Sequence, residues 1–115
     1  MNARARWPAW VATYVRTGHR FMASRILTAE LGELGPALVL KSMALATAAD
    51  AGIMGTYTST VAGVDPVADA YLLVALVADP DPAALDVACR TTAAAGPDHV
   101  ARALTALCDL LADAA

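Results

Sequence analysis

Residues 65–97 read DPVADAYLLVALVADPDPAALDVACRTTAAAGP. Three of its Xaa-Pro steps read as helix starts: Asp65-Pro66, Asp81-Pro82 and Gly96-Pro97. Each places a residue that suits a helix N-cap directly before a proline. Proline at the first helical position forfeits no hydrogen bond, because that backbone N–H has no intrahelical partner in any case. The pattern predicts helices over 66–78, 82–95 and 97–112. Gly35-Pro36 predicts another over 36–51, with Gly52 as its stop. The fold class expected is all-α, a compact antiparallel bundle of four to six helices in one domain.

The helices differ in how their apolar residues are arranged. In the last, Val100, Leu104, Leu107 and Leu111 share one face with Ala103 and Cys108 beside them, and Arg102, Thr105, Asp109 and Asp113 lie opposite. That is the pattern of a helix packed on a core by one side. In the helix from Pro66, Val67, Tyr71, Leu72, Leu73, Val74, Leu76 and Val77 cover the whole circumference. Such a helix is either central in the bundle or at an oligomer interface. The helix from Pro36 is nearly as apolar, relieved by Lys41 and Ser42. Residues 53–64 mix β-favouring Thr, Tyr and Val with glycine and read as a connector. The proline-to-proline steps of 16 and 15 residues approach the length of helical repeat units, but no signature residue recurs, so a plain bundle is preferred.

The first 25 residues, MNARARWPAWVATYVRTGHRFMASR, carry Arg4, Arg6, Arg16, Arg20 and Arg25 and no acid. From Pro8 onward, helical spacing gathers Trp7, Trp10, Val11, Tyr14, Val15, Gly18, Phe21 and Met22 on one broad face, with Arg16 and Arg20 opposite. Gly18 lies within that face and either admits a close neighbour or breaks the helix. If the helix continues through it, Arg25 points where Trp7 and Tyr14 point and needs a carboxylate, for which Glu30, Glu33 and Asp50 are the candidates. The rest of the chain, residues 26–115, holds three bases against 11 acids, so a +5 segment precedes a −8 body. This split suits self-association through opposite charges, or an arm for an acidic partner.

Composition sets further bounds. The chain has 115 residues, 29 of them Ala and one Phe, so its core is Leu, Val and Ala. Hydrophobic content is 58% and mean hydropathy +0.53, high for a small monomer and suggestive of surface covered by another subunit. A membrane-spanning helix needs about 20 mostly apolar residues. The longest charge-free run is the 14 residues 51–64, interrupted by Gly, Thr and Ser, so no transmembrane span is expected. The start lacks the order of charge, apolar run and cleavage site that marks a secretory leader, and a cytoplasmic protein with reduced thiols is expected. Cys89 lies 7 residues before Gly96 and Cys108 12 after it. A helical hairpin turning there offsets the two cysteines by about 7–8 Å along its axis, too far for a disulfide once the lateral helix spacing is added.

Catalytic chemistry finds little foothold. Two His and two Cys occur without C-x-x-C, H-x-x-x-H or E-x-x-H spacing, so no metal and no cofactor are expected. Glu30 and Glu33 lack histidine partners and read as solvated acids. Cys89 and Cys108 sit among Ala, Val and Leu, where thiols act as small hydrophobes. His99, beside Asp98 in the first turn of its helix, reads as an ordinary helix-start residue. Arg16, His19 and Arg20 cluster where a phosphate or carboxylate would be gripped, although a solvated basic face is the simpler account. Gly32-x-x-Gly35 and Gly52-x-x-Gly55 lack the rest of a phosphate-binding loop. Tyr57 and Thr58 are the polar groups best placed should the connector form the lip of a ligand site.

The function expected is a non-catalytic protein–protein interaction or assembly module, homo-oligomeric, acting through apolar helix faces. Trp7, Trp10, Arg16, His19, Arg20, Arg25 and Tyr71 are its candidate interaction residues. One alternative is a small DNA-binding regulator using Arg16, His19 and Arg20, disfavoured by the acidic pI near 5.1. The other is a helical sensor with a small ligand bound inside the bundle.

Overall fold

The computed structural model describes residues 35–51 and 61–113. They form four helices: α1 (Pro36–Ala51), α2 (Pro66–Leu76), α3 (Pro82–Ala94) and α4 (Pro97–Asp113). No strand occurs among the described residues. All four predicted starts fall on the proline that announced them. The caps supply the reason: Asp65 Oδ1 accepts from the Val67 N–H at 3.0 Å, and Asp81 Oδ1 accepts from the Ala83 N–H at 3.0 Å. Before α1 and α4 stand Gly35 and Gly96, with φ of +83° and +112°, values that side chains rarely tolerate. Their carbonyls accept the first helical N–H groups, from Val39 and Val100.

α2 ends two residues earlier than the apolar run suggested. The Val77 and Ala78 N–H groups bond to carbonyls three residues back, at 3.3 and 3.2 Å, so the last turn tightens and the chain leaves the helix. The Asp79 carboxylate then accepts from the Asp81 N–H at 2.8 Å and shapes the turn into α3.

Every helix packs against the other three. α1 does so most extensively, lying against both α3 and α4, while the consecutive helices α3 and α4 touch least. The core consists of Val39, Leu40 and Met43 of α1, Leu73 and Val74 of α2, Leu85 of α3, and Val100, Leu104, Leu107 and Leu111 of α4, with small Ala and Cys side chains between them. The stripe read on α4 is therefore the face that packs, and Arg102 and Thr105 are exposed. The all-round apolar α2 is not enclosed, because one of its faces meets no other described helix. Lys41 and Asp86, 2.7 Å apart, join α1 to α3 at the surface. The Lys41 ammonium, as hydrogen-bond donor, holds the Asp86 carboxyl below the usual carboxylate range.

No helix among the described residues is long and apolar enough to cross a membrane. The predicted N-terminal helix, with Trp7, Trp10, Arg16, His19, Arg20 and Arg25, lies outside the described residues. So do Glu30, Glu33, Gly52, Tyr57 and Thr58.

Candidate functional site

α2 has its polarity inverted. Its one charged residue, Asp69, has no solvent exposure at all. Its outward face is apolar: Val67 is 51% and Tyr71 43% exposed, and Ala68, Leu72, Ala75 and Leu76 are partly exposed beside them. Helical geometry explains the division. Asp69, Ala70, Leu73 and Val74 share the side packed on the core, which leaves Val67 and Tyr71, four residues apart, on the other. Of the interaction residues expected from sequence, Tyr71 is thus placed at the surface of this face.

Next to that face runs an open groove of about 510 Å³ between α2 and α3. Leu72 and Leu76 of α2, Ala84 and Val87 of α3, and Val61 of the connector line it. Val61 is 74% exposed and Val64, at the edge of α2, 77%. Asp81 and Thr91 are the residues of the lining with polar side chains. Thr91 turns its hydroxyl inward to the Val87 carbonyl at 2.9 Å, which leaves its methyl group available for contact. Asp65 and Asp81, the N-caps of α2 and α3, are both exposed.

The buried Asp69 is fully partnered. Its Oδ1 and Oδ2 accept from the Gly63 N–H at 3.2 and 2.9 Å, and Oδ2 accepts from His99 Nε2 at 2.6 Å. His99 is therefore more than a helix-start residue. Its neighbour Asp98 pairs instead with Arg102, at 3.2 Å on the surface, while the imidazole turns inward and reaches a carboxylate thirty residues away. One carboxylate thus ties together the connector, α2 and α4. Gly63 adopts φ +92°, and a Cβ there would sit 3.5 Å from the Thr91 side chain and carbonyl, so the same turn also rests on α3.

The cysteines offer no nucleophile. Both are free and buried, and burial pushes each thiol up to about 12, with Asp86 adding to the effect at Cys89 and Asp109 at Cys108. A thiol so perturbed is inert at neutral pH. No group of three His, Cys, Asp or Glu side chains placed to hold a metal ion occurs among the described residues. Two of the three described cations, Lys41 and Arg102, are held by carboxylates, and no basic face forms there.

No protein-family model, curated protein or solved structure matches this chain.

Proposed function

We propose that this protein is a non-catalytic assembly module that pairs with a second copy of itself through the outward face of α2 and the adjoining α2–α3 groove. The observation that carries this reading is the inversion of α2: the one charge is in the core and the apolar side chains are at the surface. Folding alone favours the reverse arrangement, since burying a carboxylate is costly and exposing Val67 and Tyr71 contributes nothing to the core. A contiguous apolar surface edged by polar residues marks a place where another protein sits.

Self-pairing suits the charge distribution. The body, residues 26–115, carries three bases against 11 acids, so most ways of bringing two such bodies together oppose like charges. A two-fold contact centred on Val67, Tyr71 and Leu72 opposes none at its centre, with Asp65 and Asp81 left to the rim. Tyr71 is suited to anchor it, being a large ring with a polar tip. We read the whole chain as one antiparallel bundle of four to six helices working in a reducing, cytoplasmic setting, consistent with its two free thiols.

Light scattering on a gel-filtered sample tests this reading. The expected mass exceeds 11.8 kDa and persists in 1 M NaCl, where the screening length falls to about 3 Å. Assembly through the opposed charges of residues 1–25 and the acidic body would dissolve in that salt. The DNA-binding alternative is separated by the same variable, because duplex binding through Arg16, His19 and Arg20 would appear at low salt and weaken steeply as salt is added.

A further inference from the structure

We infer that Asp69 and His99 are positioning residues for the docking surface, setting the connector turn that presents Val61 and Val64. This inference rests on the assembly reading above. The geometry runs in one chain of contacts. His99 Nε2 holds Asp69 Oδ2 at 2.6 Å, and the Asp69 carboxylate holds the Gly63 N–H with both oxygens. Gly63 turns with φ +92° against Thr91. Val61 and Val64 flank that turn and are the two most exposed large apolar side chains described, and Val61 lines the groove.

The Gly63 N–H donates from the turn to the body of the protein, and the acceptor is a side chain with no solvent exposure. A buried carboxylate requires strong donors, and without His99 the Gly63 N–H alone would face it. Water would then compete for Asp69, and the turn would lose its anchor. The apolar lining contributed by Val61 would move with it, while the α2 face carrying Val67 and Tyr71 would stay in place.

The test compares His99→Ala with His99→Gln. The glutamine amide places an N–H near the position of Nε2, so it restores the hydrogen bond without the ring. Two quantities are read well below the unfolding temperature: amide exchange at Gly63 and the dimer dissociation constant. In His99→Ala, the local opening that exposes the Gly63 amide is expected to become about tenfold easier, the loss of one hydrogen bond of ordinary strength, whereas amides inside α2 and α3 accelerate only by the common factor that the lowered unfolding free energy sets. The dissociation constant is expected to rise about fivefold, and His99→Gln to return both quantities toward wild type. Should His99→Ala fail to fold, His99→Asn, too short to reach Asp69, takes its place.

Gly63 exchange that accelerates no more than that common factor, or a dissociation constant indifferent to the loss of His99 in a dimer that Tyr71→Glu disrupts, overturns this inference and leaves the assembly reading standing. A wild-type monomer overturns both.

Discussion

His99 Nε2 lies 2.6 Å from Asp69 Oδ2, so the first turn of α4 is joined to the first turn of α2 through a carboxylate that water does not reach. The pair is a stability element whatever else it does. Removing His99 leaves the buried Asp69 carboxyl short of a hydrogen-bond partner, a more severe change than the loss of a surface ion pair. His99→Ala is therefore expected to lower the unfolding free energy by about 3 kcal/mol. The exposed pair Arg102–Asp98 is the contrast: Arg102→Ala is expected to cost less than about 1 kcal/mol. Urea unfolding followed by circular dichroism measures both.

A second prediction concerns pH. In the unfolded chain the two thiols ionise near 9.0, whereas in the fold they hold their protons to about 12. Between those values the unfolded state binds fewer protons, so stability falls as pH rises. Each cysteine contributes a slope of up to about 1.4 kcal/mol per pH unit in that window and none well below it. Urea midpoints taken from pH 7 to 10.5 are expected to drop above about pH 9, and the drop to shrink in Cys89→Ala and again in the double variant with Cys108→Ala. At pH 8, a disulfide reagent is expected to leave the native protein unlabelled and to react with both thiols after denaturation.

A third prediction follows from Thr92. Its hydroxyl is fully buried on α3 and has no hydrogen-bond partner. Thr47, Thr91 and Thr105 each bond to the carbonyl four residues back, which Thr92 does not. An orphaned buried hydroxyl is a net cost, and valine has nearly the same shape without it. Thr92→Val is expected to raise stability by about 1 kcal/mol. The urea midpoint should rise without a change in slope.

Helix starts were legible in the sequence because their chemistry is local. A capping carboxylate and a proline act within three residues of each other, so Asp65-Pro66 and Asp81-Pro82 announce α2 and α3 wherever those helices later pack. The α4 stripe was legible because its polar and apolar faces are cleanly divided. The Asp69–His99 pair was hidden for two reasons. Thirty residues separate the partners, and an acid in a first turn already has an ordinary explanation in the helix dipole. The one available signal was that Asp69 shares a face with Ala70, Leu73 and Val74. On a helix apolar all round, however, no stripe indicates which side turns inward, so that face could not be distinguished as the core side. The same ambiguity left α2 suited either to the centre of the bundle or to an interface. Packing resolves the first half: α1 has the most extensive contacts, and α2 keeps an open side.

The central claim is that the open side of α2 is covered by a second copy, and sedimentation equilibrium on a matched pair of proteins tests it most directly. Wild type is compared with Val67→Glu/Tyr71→Glu, which places like charges at the heart of the proposed contact and touches no core residue. The expected result is a wild-type mass of twice 11.8 kDa and a variant at the monomer mass with unchanged helix content and undiminished thermal stability as a monomer. A wild-type monomer at high micromolar concentration, or a variant that assembles as the wild type does, would contradict the account.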